Sequence, residues 1–102
     1  MRISKEEKEI LVSEVTRIFG KETKLYLFGS RTLDQKKGGD IDILIRAEGN
    51  EKNREILFSK KMDLLVALEL RLGEQNIDVI LELPGDTRKI IKTALNTGIE
   101  LC

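Results

Sequence analysis

Apolar residues recur along this chain in two rhythms, one of about 3.6 residues and one of two. Between Ser4 and Gly20 they fall at Ile10, Leu11, Val15, Ile18 and Phe19, a single helical face. Ser4 and Glu7 have the spacing of a capping box, and Gly20 supplies a stop. Lys24 to Phe28 (KLYLF) is short and almost continuously apolar, which predicts a strand buried on both faces. Gly29 to Gly39 reads as a loop, and Asp40 to Ile45 as a second strand. Ala47 to Asn53 is a polar connection. A second helix is expected from Arg54 or Ser59 to Leu72, with Leu57, Leu64, Leu65, Leu68 and Leu72 as its buried stripe and Gly73 as its end. Asn76 to Leu83 is a third strand, followed by a turn at Pro84-Gly85. Asp86 is the expected N-cap of a third helix that carries Ile90, Ile91, Ala94 and Leu95 and stops at Asn96-Thr97-Gly98. Ile99 to Leu101 suits a short edge strand.

The element order is αββαβαβ. Helices interleaved with strands place the chain in the α/β (α+β) class, with a small mixed sheet flanked by helices. A length of 102 residues suits one core, so residues 1–102 are expected to form a single domain. Lys plus Arg is 18 and Asp plus Glu is 18, so no net charge draws the chain to a polyanion, and nucleic acid is not an expected partner. Cys102 is the one cysteine, which excludes an intramolecular disulfide. With no apolar membrane span and no signal-peptide pattern, a cytoplasmic home is expected. Histidine is absent, which removes a Ser-His-Asp triad, a Cys-His pair and any His-ligated metal. Neither GxGxxG nor GxxxxGK[ST] occurs. Carboxylates, hydroxyls, Arg, Lys and backbone amides remain to do chemistry.

Against that background the stretch GGDIDILI at 38–45 is anomalous. Strands disfavour aspartate, yet this one carries Asp40 and Asp42. Alternation puts Asp40, Asp42 and Leu44 on one face and sends Ile41, Ile43 and Ile45 into the core. The two carboxylates then stand roughly 6.5–7 Å apart along the strand. Like charges held so close raise each other's pKa, and a divalent cation removes the conflict. Oxygen-only ligands select Mg²⁺ or Mn²⁺. In NIDVILEL the third strand repeats the pattern with Asp78, which can join the first two acids if the strands are neighbours. Three carboxylates can hold two Mg²⁺ ions for in-line displacement at phosphorus. Just before these acids, Gly29 allows a sharp turn and a close approach, Ser30 offers a hydroxyl and an amide, and Arg31 offers a planar pair of donors to phosphate. Lys36 and Lys37 add local positive charge, though such loop lysines are more often solvated. Asp63 reads as a surface residue of the second helix, and Cys102 as an inert thiol.

LFGS at 27–30, the intervening stretch 31–39, DIDILI and the later IDVI together resemble the minimal nucleotidyltransferases of the DNA polymerase beta-like superfamily. The resemblance covers nearly the whole chain and implies the nucleotidyltransferase fold. It implies that Gly29 and Ser30 hold the nucleotide phosphates, with Arg31 at the basic position that often follows. Asp40 and Asp42 would ligate both metals, and Asp78 the catalytic metal while it helps activate an acceptor hydroxyl. Many relatives continue the loop with Ala-Arg-Gly where this chain has Thr32-Leu33-Asp34. The implied function is Mg²⁺-dependent transfer of an NMP group, AMP from ATP in the first instance, to an acceptor hydroxyl with release of pyrophosphate. The chain has no segment left to build an acceptor pocket, so the acceptor is expected on a partner protein. By resemblance that partner is a HEPN-domain ribonuclease toxin, with this chain as its antitoxin. Two rival readings stay open: a non-catalytic binding or antitoxin subunit, and transfer to a small molecule such as an aminoglycoside, with a homo-oligomer supplying the missing walls.

Overall fold

The computed structural model describes residues 3–28, 41–46, 53–73, 77–83 and 85–102. Its elements are α1 (Lys5–Phe19), β1 (Lys24–Phe28), β2 (Ile41–Arg46), α2 (Arg54–Leu72), β3 (Ile77–Glu82), α3 (Lys89–Thr97) and β4 (Ile99–Glu100). The order is the expected αββαβαβ, and the class is α+β with a mixed four-stranded sheet.

Local chemistry sets the helix boundaries. The Glu7 amide donates to Ser4 Oγ at 3.0 Å and the Ser4 amide to Glu7 Oε1 at 2.9 Å, which completes the capping box. Gly20, at φ 109°, ends α1 in a conformation that other residues resist. Asn53 decides the start of α2: its Oδ1 accepts from the amides of Glu55 and Ile56, so the helix begins at Arg54 rather than at Ser59. The expected cap at Asp86 is not observed. The N-cap position of α3 is Arg88, which makes no side-chain cap bond. Asp86 instead turns back on the preceding strand, where it accepts from Leu83 N, and pairs with Arg88.

The strands lie in the order β3-β2-β1-β4. β1 runs antiparallel to β2 and β4, and β2 runs parallel to β3, with α2 as the crossover. One sheet face presents Leu25, Leu27, Ile41, Ile43, Ile45, Val79 and Leu81 to α1 and α2, and together they form the main core. The other face presents Phe28 and Leu44, which pack with Ile91 and Ala94 of α3 in a second, smaller cluster. Leu44 is therefore fully buried as well, on the face that also carries Asp42. A one-residue slip of β2 would drive Asp42 and Arg46 into the main core. Each unpaired buried ion would cost several kcal/mol, a large share of the roughly 5–15 kcal/mol that holds a typical domain folded. The isoleucines thus fix where the aspartate points.

Two details of the packing are set by the structure alone. Ile90 is exposed at 39%, because Ile91, Ala94 and Leu95 supply the inner face of α3. α2 buries Leu57, Leu64 and Leu68, with Leu65 and Leu72 at the margin, but it also carries an outward apolar row of Phe58, Met62, Val66 and Leu70. Among the described residues no helix is long and apolar enough to cross a membrane.

Gly98 joins α3 to β4 at a close approach. A Cβ there would collide with the Ala94 carbonyl oxygen and come within 3.0 Å of the Leu27 carbonyl oxygen, both backbone atoms that cannot swing aside. Gly98→Ala is expected to lower stability by about 1–3 kcal/mol, as overpacking does. The measurement is the urea midpoint followed by circular dichroism, and an unchanged midpoint would show that α3 has room to shift.

Candidate active site

The register of the sheet builds the site. On the face covered by α3, residues of neighbouring strands line up in three rows. The first row is Asp78, Asp42 and Phe28; the second is Ile80, Leu44 and Tyr26; the third is Glu82, Arg46 and Lys24. The middle row is apolar apart from the Tyr26 hydroxyl, and α3 rests on it. The third row balances its own charge: Arg46 Nε donates to Glu82 Oε1 at 2.5 Å, and Lys24 pairs with Glu100 of β4 at 3.4 Å. Glu82, with a smaller contribution from Tyr26, pushes the Arg46 pKa up from its ordinary value. The first row instead sets a carboxylate beside a carboxylate.

Asp42 and Asp78 are direct partners across the parallel pair. Strand spacing holds their backbones about 4.8 Å apart with both side chains on one face. Asp42 is half-buried and Asp78 is exposed, so the pair opens to solvent at the end of the sheet where β2 and β3 begin. Phe28, the last residue of β1, lies opposite Asp42 and is buried beneath α3. From Phe28 the chain continues directly into Gly29 and Ser30. The structure therefore brings together two of the expected site residues, Asp42 and Asp78. The others, Gly29, Ser30, Arg31 and Asp40, lie outside the described residues, as do Lys36 and Lys37. Among the described residues no group of three potential ligands converges on one point. The donor set at Asp42 and Asp78, two adjacent carboxylates and nothing softer, suits a hard divalent cation.

The strand carrying Asp78 is braced at its far end by a pair that the pattern of the sequence did not reveal. Asp86, whose side chain is 5% exposed, lies 2.7 Å from Arg88 Nη2 and accepts from the amides of Leu83 and Arg88 at 3.2 and 3.1 Å. Arg88 Nη2 also donates to the Leu81 carbonyl at 2.9 Å. The Arg88 guanidinium, helped by the two amides, holds the Asp86 carboxyl well below the usual carboxylate range despite its burial. Cys102 shows the opposite effect: burial pushes its thiol up, which leaves little thiolate and agrees with an inert role. Asp63 is exposed, as expected.

A small mixed sheet that fixes neighbouring carboxylates at one end suits metal-assisted chemistry at phosphorus. A family model described as the nucleotidyltransferase domain matches residues 8–99. The chain belongs to that family, within the minimal nucleotidyltransferase superfamily. It is a transferase that uses a nucleoside triphosphate, in a family that typically employs a divalent metal. A search of curated protein sequences finds no significant match.

The Asp86–Arg88 brace should be visible in acid. A carboxyl whose pKa is depressed in the folded state stabilises the fold fully above its unfolded value near ~4 and loses that contribution as pH falls further. Melting curves from pH 7 to pH 2 should show a lower Tm for Asp86→Asn at neutral pH. The gap to the parent should narrow below about pH 4. A gap that stays constant across this range would mean that the carboxylate charge is not what braces β3.

Proposed function

We propose that this chain transfers a nucleoside monophosphate, AMP from ATP in the first instance, to a hydroxyl on a partner protein. The reading rests above all on Asp42 standing beside Asp78 across the parallel strands. Asp40, two residues before Asp42 in the sequence, would complete a three-carboxylate set. Asp40, Asp42 and Asp78 would hold up to two Mg²⁺ ions, which supply positive charge to the phosphates and lower the pKa of an oxygen they bind.

The rest of the work falls to the chain itself. Gly29 and Ser30 would present amides and a hydroxyl to the outer phosphates, and Arg31 would neutralise them. Asp78, exposed at the rim, can accept the proton of the incoming hydroxyl. That oxygen bonds to the α-phosphorus, the bond from the α-phosphorus to the bridging oxygen breaks, and pyrophosphate leaves with the electron pair. The apolar second row and α3 close the floor beneath the acids and keep bulk water from that side. We infer that residues 1–102 act as one domain and do so in the cytoplasm. The role of antitoxin to a HEPN ribonuclease is supported by the LFGS and DIDILI motifs, which resemble those of minimal nucleotidyltransferases in such pairs.

Incubation with Mg²⁺ and ATP labelled at the α-phosphate, with and without the protein encoded by the adjacent gene, tests this reading. Label is expected on the partner. Asp42→Asn or Asp78→Asn should reduce it by about a hundredfold or more, the usual scale for losing a group that stabilises transition-state charge. No transfer to any acceptor together with no Mg-ATP binding by calorimetry would sink the enzyme. If Asp42→Asn abolishes labelling but leaves neutralisation of the toxin intact, contact rather than transfer is the biological mechanism.

Metal binding has its own readout. In EDTA the parent and Asp42→Asn should melt without added stabilisation. Mg²⁺ at a hundred times its Kd should stabilise the parent by about 2.7 kcal/mol, through preferential binding to the folded state. Asp42→Asn should gain little, and an equal gain in both would place the cation elsewhere.

A further inference from the structure

β3 ends the sheet. β2 pairs along one side of it, and no described strand pairs along the other. In a parallel pair, alternate residues turn both backbone groups to the same side of the strand. The Leu81 carbonyl accepts from Arg88 and the Leu83 amide donates to Asp86, so these residues face the open edge, and by alternation Val79 does too. The Asp86 and Arg88 side chains thus cover the end of this edge much as a neighbouring strand would.

Beside the uncovered part lies a hollow of about 540 Å³, between β3 and the first turns of α2. Val79, Ile80 and Leu81 all line it. Consecutive strand side chains point to opposite faces, so only an edge-on opening can touch all three. Phe58, 57% exposed, forms an apolar wall, with Lys61 Nζ 5.8 Å from its ring centre. Among the described lining residues Arg54 and Lys61 stand beside one carboxylate, Glu55, while Arg88 is already paired with Asp86.

We propose that this hollow docks an extended segment of another protein that alternates apolar and acidic side chains. The backbone of that segment adds to the Val79–Leu81 edge, an apolar side chain enters against Phe58, and carboxylates meet Arg54 and Lys61. Charge complementarity favours this occupant over a second copy of the chain. Pairing two β3 edges would bring Arg54 and Lys61 of both copies together, at a like-charge cost. The inference concerns binding alone and goes beyond the transfer reaction. The docking edge nevertheless belongs to the strand that carries Asp78, so a docked chain runs close to the acids.

The test uses the full chain and a fluorescein-tagged eight-residue peptide of alternating valine and glutamate, read by anisotropy. Saturable binding is expected, weakened tenfold or more by the double substitution Arg54→Glu, Lys61→Glu. Replacing the glutamates with lysine, or N-methylating alternate peptide amides, should have the same effect on the parent protein. These two peptide controls carry the test even if the double variant folds poorly. Amide NMR shifts should centre on Val79 and Leu81. Asp42→Asn should bind the peptide like the parent, which separates docking from transfer. The proposal is overturned by no binding at millimolar peptide, by binding indifferent to charge and N-methylation, or by self-association through β3 that the peptide does not disperse.

Discussion

Parallel pairing of β2 with β3 sets the Asp42 carboxylate beside that of Asp78, and much of the fold serves to hold that pairing. Like charges directly across neighbouring strands disfavour such a register. The register survives this because the opposite face of the same strands is committed. Ile41, Ile43 and Ile45 are fully buried against α1 and α2, and any slip would exchange them for charged side chains. The third row shows what the same register does when charges are complementary: Arg46 and Glu82 lie across from one another and bond directly. The two ends of one strand pair thus differ in a single respect. At one end opposite charges face each other across the strands, and at the other two carboxylates do.

The burial of both sheet faces gives the acids their rigidity. β1 and β2 carry apolar side chains alternately toward the α1/α2 core and toward α3, so neither strand can rock without opening one cluster or the other. Phe28 is the hinge of this arrangement: it is buried under α3, pairs with Asp42, and leads directly into Gly29. A residue fixed from both sides in this way keeps its neighbour across the strand, Asp42, in register.

Most of the fold was legible in the sequence because each element carries its own punctuation. The Ser4–Glu7 box, Gly20, Gly73 and the aliphatic alternation of β2 act within a few residues, and each produced the element expected of it. Of the candidate site, Asp42 and Asp78 were legible as acids out of place in strands, and the parallel register puts them side by side. Where the reading failed, the deciding partner was distant. Asp86 has the right type and place for a helix cap, but Arg88 and the Leu83 amide compete for it and win. The outward row Phe58, Met62, Val66 and Leu70 was hidden because a leucine stripe already accounted for α2. Periodicity identifies a buried face, but it does not say that the other face is polar.

β3 carries a separate burden on each of its edges. Its inner edge must pair with β2 so that Asp78 meets Asp42, and its outer edge is then left without a described partner. Open edges invite indiscriminate pairing, and proteins usually blunt them with charge or cover. Here the cover is partial. The Asp86–Arg88 pair satisfies Leu81 and Leu83 at the end far from the acids, while Val79, next to Asp78, is left beside the hollow. Among the described residues, an edge covered at one end and uncovered near Asp42 and Asp78 is poorly explained by the avoidance of aggregation alone, since covering Val79 would serve that purpose better. It is well explained if the same strand both sets Asp78 beside Asp42 and receives a segment of another protein along its outer edge.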